Sequence, residues 1–433
     1  MHYVKRKFFF RKMLDKILSK ENMSRAYHRV VSNGGAAGID GMKASELQSY
    51  LNGAWVFLKA EILEGKYEPK AVRRVEIPKP NGGVRLLGIP TVLDRLLQQA
   101  IAQELEGLWE GTFSEHSYGF RPKRNTHQAV SKAQSYVNAG GTYIVDIDLE
   151  KFFDRVNHDY LMHLLSERVE DKRVLHLIGQ YLRAGVMLGG VVSRNEEGTP
   201  QGSPLSPLLS NIVLDVMDKE LESRGHKFVR YADDFSIYCT SQRGAERIKG
   251  SITKFIEDVL HLRINEGKSG IRRPNQMVLL GFGFHIKSKG TWGIRLALKS
   301  IVRLKEKIQK LTQRREPRGT WDRIQSLKQV QQGWIHYFKI ADCKNHLTAI
   351  DEWTRSRLRM CEWKLWKRVR TRIKRLKDLG VAPEQAYQWA NTRKGYWRIA
   401  HSPILTRSLN NNWFKSQGLV SLSELYAKHK ERS

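Results

Sequence analysis

Phe228-Val229-Arg230-Tyr231-Ala232-Asp233-Asp234-Phe235-Ser236-Ile237-Tyr238 sets two apolar runs on either side of a pair of adjacent aspartates. Runs rich in Val, Ile, Phe and Tyr read as strands, so the segment predicts a hairpin with Ala232 and Asp233 at its tip. Upstream, Ile144-Val145-Asp146-Ile147-Asp148 predicts another strand over 142–148, with Asp146 and Asp148 on the same side. A carboxylate inside an apolar strand is costly to desolvate and needs a partner, which a divalent cation supplies. Aspartates also favour turns for local hydrogen-bonding reasons, so Asp233-Asp234 taken alone reads equally well as a polar turn.

Around these words, the chain up to about residue 287 alternates short β-rich runs with helical segments and Gly/Pro punctuation, the pattern of an α+β domain. Helices are expected over 94–108, 159–167, 205–224 and 244–260, and a β segment over 278–286. From about residue 297 apolar residues recur at helical spacing, as in Ile301, Leu304, Ile308 and Leu311, then Ile324, Leu327, Val330 and Trp334. Residues 297–377 carry 23 Lys and Arg against 7 Asp and Glu, about half of the whole formal excess of +31. So concentrated a charge favours a long polyanion, nucleic acid first, over self-association.

No apolar run approaches the roughly 18 residues that span a bilayer, and Phe8-Phe9-Phe10 is too short for a signal sequence, so no membrane partner and a cytosolic location are expected. Cys239, Cys343 and Cys361 form no close pair, which argues against a disulfide framework or zinc knuckle and for buried small side chains.

Several other words carry candidate ligands. Residues 73–85, with Lys79 and Arg85, read as two strands joined by the Gly82-Gly83 turn, a cationic tip suited to phosphate or to solvent. Gly198-Thr199-Pro200-Gln201-Gly202-Ser203 leaves backbone accessible just before a helix. Ser117-Tyr118-Gly119-Phe120-Arg121-Pro122, Asn265-Glu266-Gly267-Lys268-Ser269 and Leu280-Gly281-Phe282-Gly283-Phe284 combine glycines with cations or aromatics. Trp353, Trp363 and Trp366 interleave with Arg355, Arg357, Arg359 and Lys364, offering stacking faces and phosphate partners, although at least half of these indoles are expected in the core.

Taken together, these words resemble the reverse transcriptases encoded by bacterial group II introns, closest to compact class C members without an appended nuclease. Aromatic-x-Asp-Asp on a hairpin, the upstream Asp-x-x-x-x-Phe, Ala36-Ala37-Gly38-Ile39-Asp40-Gly41 and Gly333-Trp334-Ile335-His336-Tyr337-Phe338 carry the resemblance essentially end to end. It implies an α+β right-hand polymerase of fingers and palm, then an α-helical thumb or maturase domain and a small C-terminal DNA-binding module. The implied bounds are 1–75 for the N-terminal extension, 76–290 for fingers and palm, 291–377 for the thumb and 378–433 for the last module.

The resemblance implies two Mg2+ ions held by Asp148, Asp233, Asp234 and the backbone of Ile147 or its neighbour Leu149, and the family spacing to Phe153 selects Asp148 over Asp146. It further implies Lys268 as proton donor to pyrophosphate. Lys79, Arg85, Phe153 and Gln201 would bind the nucleotide, and Arg121, Arg355, Arg357, Arg359 and Lys364 the template or intron RNA. Leu280, Gly281 and Phe282 would hold the primer. Ser203 stands where relatives have glycine, which puts details of nucleotide or template placement in doubt. Implied partners are intron RNA, an RNA template with DNA primer, deoxynucleoside triphosphates and target DNA. A splicing cofactor without polymerase activity, or a domesticated repair or defence polymerase, are the other functions weighed. Intact Asp148, Asp233 and Asp234 argue against the first of these, since RNA binding alone needs no buried carboxylate.

Overall fold

Residues 143–148 do make a strand, with Val145 and Ile147 buried on one face and Ile144 buried on the face that also carries Asp146 and Asp148. The computed structural model describes residues 13–78, 82–188, 191–193, 197–199, 202–287 and 290–431. Lys79 and Gln201, both expected at the nucleotide, lie outside the described residues. By its contacts the chain divides into two units, Met1–Pro274 and Asn275–Ser433.

The first unit holds strands β1 (Val72–Pro78), β2 (Val84–Ile89), β3 (Tyr143–Asp148), β4 (Val186–Leu188), β5 (Val191–Ser193), β6 (Lys227–Tyr231), β7 (Asp234–Cys239) and β8 (Gly270–Arg272). One sheet, antiparallel throughout, runs β6-β7-β3-β8; the other runs β2-β1-β4-β5, with β1 and β4 parallel. In the first sheet β3 and β7 pair from Tyr143 with Cys239 to Asp148 with Asp234. That register decides where the carboxylates meet. Helices share a core with this sheet: Val92–Trp109 starts where the Thr91 hydroxyl accepts the Asp94 N–H, and Ser206–Ser223 buries Leu209, Ile212, Leu214, Met217 and Leu221. The helices expected over 159–167 and 244–260 appear as His158–Ser166 and Gln242–Asp258.

The second unit opens with a sheet β9-β10-β11, made of β9 (Val278–Leu279), β10 (Phe282–Ile286) and β11 (Trp292–Leu296). Residues 278–286 are thus two strands, broken where Leu280 and Gly281 turn with positive φ. The Tyr337 hydroxyl donates to the Leu280 carbonyl, and Phe282 stacks on Tyr337 with ring centroids 5.6 Å apart. These contacts attach the Gly-aromatic hairpin to the helix Thr320–Phe338 within the second unit. The helices Leu298–Leu311, Thr320–Phe338, Lys344–Leu365 and Val369–Asp378 follow, then shorter ones up to Leu422–Glu431. All three cysteines are free and buried, as are Trp363 and Trp366. Among the described residues no helix is long and apolar enough to cross a membrane.

Buried Asp351 closes the second unit. It accepts the Ser421 hydroxyl at 2.7 Å, the Leu422 N–H at 2.9 Å, and the Ser423 N–H at 3.0 Å and hydroxyl at 2.8 Å, so it caps the last helix from another helix. Asp351→Ala leaves those donors unpaired and is expected to cost roughly 1–3 kcal/mol. Amide exchange should quicken over 422–431 while 143–148 keeps its protection.

Candidate active site

Three aspartates gather at one end of the β6-β7-β3-β8 sheet. Asp148 ends β3, Asp234 begins β7 directly across the ladder from it, and Asp233 stands next to Asp234 in the two-residue turn from β6. Ala232, the other turn residue, has φ of +58°, a conformation unusual for a side chain bearing a Cβ.

Asp146, two residues back on the same side, is paired with Arg272, whose Nε donates to Oδ2 at 2.9 Å. That contact distinguishes two aspartates that strand alternation left equivalent, since Asp146 already has a cation and Asp148 has only a mobile one. The mobile cation is Lys268, largely exposed, with Nζ 3.1 and 3.2 Å from the two Asp148 carboxylate oxygens. The segment carrying it is pinned underneath: the Asn265 N–H donates to the Asp148 carbonyl at 2.8 Å, the Ser269 hydroxyl accepts the Asp148 N–H at 3.0 Å, and Arg272 holds the Lys268 carbonyl at 2.8 Å.

The crowding has an electrostatic signature. Desolvation, then repulsion from Asp233, Asp148 and Asp146, outweigh Lys268 and push Asp234 up to about 6. Asp234 keeps an exposed face, so water tempers the first effect, and the repulsion is what an added cation would relieve. Asp233 is raised as well, by desolvation first and by Asp148, against the pull of Arg85 and Lys268. Among the described residues no three His, Cys, Asp or Glu side chains are already drawn together as a metal cage. The donor set nonetheless fits a hard divalent cation: all oxygen, all anionic, from adjoining backbone positions, and held at a charge density that disfavours full ionisation.

A cavity of ≈ 290 Å³ is lined by Lys151, Phe153 and Asp154, which follow β3 in the chain, and by Arg74, Gly198 and Thr199 among others. It sits near the lower bound of ligand pockets, roughly 300–1,000 Å³, so it would take part of a nucleotide rather than all of it. The Thr199 N–H donates to the Phe153 carbonyl, the Gly198 N–H to the Val156 carbonyl, and the His158 ring lies 2.7 Å from the Gly198 carbonyl. Gly198 has φ of +90°, and a Cβ there would meet Asp154 backbone at 2.8 Å, so only glycine lets the loop close against the helix Phe152–Arg155. Ser203 is accommodated by use: its hydroxyl donates to Gln98 at 2.6 Å and accepts the Leu205 N–H.

Other expected contacts are corrected. Arg121 is buried, and all five of its donor positions are spent on the Glu110 carboxylate and the Glu110, Ser114 and Ser117 carbonyls, so it braces its turn instead of tracking a template. Arg359 is buried against Phe414 and donates to the Leu409 carbonyl; burial, then Arg355, lower it to about 10. Arg357 donates to the Thr312 hydroxyl and to the Gln309 and Thr312 carbonyls. Both tie helices together, whereas Arg355 and Lys364 remain half-exposed. Phe282 is fully buried, so its ring is core and not a primer contact. Functional residues that the sequence reading passed over include His158, Ser269, Arg272 and the fully buried Arg230, a cation in the middle of an apolar strand that by itself called for a buried anion.

Opposed carboxylates at a strand end and hairpin are the arrangement of metal-dependent nucleotidyl transfer enzymes. Residues 77–284 match the family of reverse transcriptases (RNA-dependent DNA polymerases), and residues 301–380 match the maturase-specific domain of group II introns. Protein YkfC of Escherichia coli (strain K12) is 32% identical over 311 residues, covering 62% of this chain and 82% of that protein. The group II intron-encoded protein LtrA of Lactococcus lactis subsp. cremoris is 28% identical over 339 residues, covering 61% of this chain; this chain spans 55% of LtrA. Among solved structures, a chain of a partial Cas6-RT-Cas1–Cas2 complex is 27% identical and covers 57% of this chain and 42% of its own, with a TM-score of 0.37. The chain belongs to the group II intron reverse transcriptases and maturases, a family of RNA-directed DNA polymerases that assist intron splicing and depend on divalent metal.

Because the folded Asp234 holds its proton up to about pH 6 while an unfolded aspartate releases it near 3.8, this group opposes folding as pH rises through that window. A cation that binds the ionised form reverses the sign. The half-saturating Mg2+ concentration should therefore rise as pH falls below about 6, by about tenfold per unit while one proton competes with the metal. Titrating metal binding against pH should show this in the natural protein, and Asp234→Asn should flatten it.

Proposed function

We propose that this chain copies RNA into DNA by adding deoxynucleotides to a primer 3′ hydroxyl, and that it binds its parent group II intron RNA to assist splicing and retrohoming. The observation that carries the reading is the ladder register that sets Asp148 opposite Asp234 with Asp233 beside it. Two Mg2+ ions would be held by Asp148, Asp233, Asp234 and the backbone of Ile147 or Leu149. When bound, they supply activation of the 3′ hydroxyl and neutralisation of the leaving phosphates.

The chain's own residues do the rest. Lys79 and Arg85 meet the triphosphate; Arg85 is exposed on β2 and its field already reaches Asp233. Phe153, at the cavity wall, packs beneath the sugar and excludes a 2′ hydroxyl by bulk, while Gln201 and the loop around Gly198 support the nucleotide. Lys268, released from Asp148 when a metal takes over its charge, becomes the proton donor to pyrophosphate. The backbone at Leu280 and Gly281 steadies the primer.

The first unit corresponds to fingers and palm and the helices of the second to a thumb and maturase domain, with the helices after residue 378 forming a DNA-binding module for the target. Arg355 and Lys364 contribute to the RNA surface, and Arg370, Lys374 and Lys377 extend it, being exposed at i, i+4 and i+7 along Val369–Asp378. Acting on intron RNA and replicating DNA, the protein would work in the bacterial cytosol and nucleoid.

Primer extension on an annealed RNA template with Mg2+ tests the reading. Asp233→Ala should lower synthesis by roughly a thousandfold, the worth of several kcal/mol of metal charge stabilisation, with intron RNA affinity nearly unchanged. Wild-type protein that binds intron RNA but makes no cDNA would instead indicate a splicing cofactor. Replacing Arg370, Lys374 and Lys377 with Gln should flatten the dependence of log affinity on log salt by about 0.7–0.9 for each phosphate no longer neutralised. An unchanged slope would move the RNA surface elsewhere.

A further inference from the structure

Arg230 and Asp218 are both fully buried, at 0% exposure. The guanidinium grips the carboxylate through Nε at 2.8 and 2.9 Å and through Nη2 at 2.6 Å. Replacing such a pair with apolar side chains of similar volume is often neutral or stabilising, so the fold has no need of it for stability alone. Its neighbours Phe228, Val229, Leu214 and Met217 are the kind of core an apolar pair would join.

The remaining donor arm shows a different use. Arg230 Nη1 donates to the Ala232 carbonyl at 3.1 Å and to Asn211 Oδ1 at 2.9 Å, and Asn211 Nδ2 donates to the Gly119 carbonyl at 2.9 Å. Gly119 is pressed so close to the turn that a Cβ there would lie 2.3 Å from the Ala232 nitrogen. The Arg230 main chain is clamped as well, its N–H donating to the His116 carbonyl and its carbonyl accepting the Tyr118 N–H, each at 2.9 Å. One of these bonds reaches the Ala232 carbonyl directly and the others fix Arg230 and Gly119 on either side of Ala232, which has positive φ immediately before Asp233. A non-glycine residue persists there only when its surroundings over-determine it.

We propose that Arg230, anchored by Asp218 and Asn211, is a positioning residue that fixes the turn presenting Asp233, touching neither substrate nor metal itself. This rests on the reading of Asp148, Asp233 and Asp234 as the metal-binding set. Arg230→Lys keeps a cation for Asp218 but has no planar fork to reach Asn211 and Ala232 at the same time. Asn211→Ala leaves the ion pair whole and removes only the strut between Arg230 and Gly119, so it provides a test in a chain whose buried charges stay paired.

The experiment uses the full chain on an annealed RNA template and DNA primer, with Mn2+ binding followed by electron paramagnetic resonance beside steady-state extension. Arg230→Lys should weaken metal binding and lower kcat by about 10–100-fold, the usual cost of removing a group that orients metal ligands, with KM for deoxynucleotide and RNA affinity within about twofold. Asn211→Ala should move the same two quantities in the same direction by less. If both variants bind Mn2+ and turn over as the natural protein does, the proposal is wrong. It is equally wrong if they lose only melting temperature and active fraction, with metal affinity per folded molecule unchanged. Should Asp233→Ala retain synthesis, the site reading itself falls; with Asp233→Ala inactive and both variants normal, only the positioning role falls.

Discussion

Mutual repulsion among Asp146, Asp148, Asp233 and Asp234 is the constraint around which the first unit is arranged. Left to themselves these carboxylates would separate or take up protons. The antiparallel ladder between β3 and β7 prevents the first, because moving one aspartate away from another would break a continuous run of backbone hydrogen bonds over an apolar face. The surrounding cations moderate the second unequally. Arg272 is committed to Asp146 by geometry, Lys268 rests on Asp148 from a solvent-exposed position, and the Asp233-Asp234 side has only long-range help. The imbalance leaves a net demand for positive charge at the place where a polymerase needs its metals.

Arginine has two separate uses in this chain, and a formal charge of +31 conceals the difference. Arg121, Arg230, Arg323, Arg357 and Arg359 are spent inside the fold on carbonyls and carboxylates. Arg323, for instance, is 1% exposed and donates to the carbonyls of Leu311, Glu316 and Arg318 where the helix Leu298–Leu311 ends. A guanidinium suits that work because its five planar donors satisfy several carbonyls left over at helix ends and turns. The charge available to nucleic acid is therefore smaller than the composition implies and lies on residues such as Arg370, Lys374 and Lys377.

The cavity at Phe153 is held by backbone bonds as well. Phe153, expected to exclude ribose, is joined through its own carbonyl to Thr199 in the Gly-Pro loop, and His158 fastens that loop from the next helix. A bulky ring at the cavity wall discriminates between sugars only if it cannot yield, and these bonds give it a stiff support. Ser203 fits the same scheme, since its hydroxyl is joined to Gln98 rather than intruding on the turn.

Features with a short sequence period were legible from the residues alone: the strand at 143–148, the hairpin tip at Ala232 and Asp233, the major helices and the helical character beyond residue 297, whereas the choice of Asp148 over Asp146 needed the resemblance to a family. They depend on neighbours one to four positions away, and side-chain chemistry repeats on that scale. The tertiary structure alone decided that Asp146 is paired with Arg272, 126 residues distant, that Arg121, Arg357 and Arg359 face inward, and that Arg230 donates to the carbonyl of Ala232, whose φ is positive. Each of those depends on which side chains lose water together when remote segments meet, and desolvation is set by three-dimensional neighbours to which no local spacing refers.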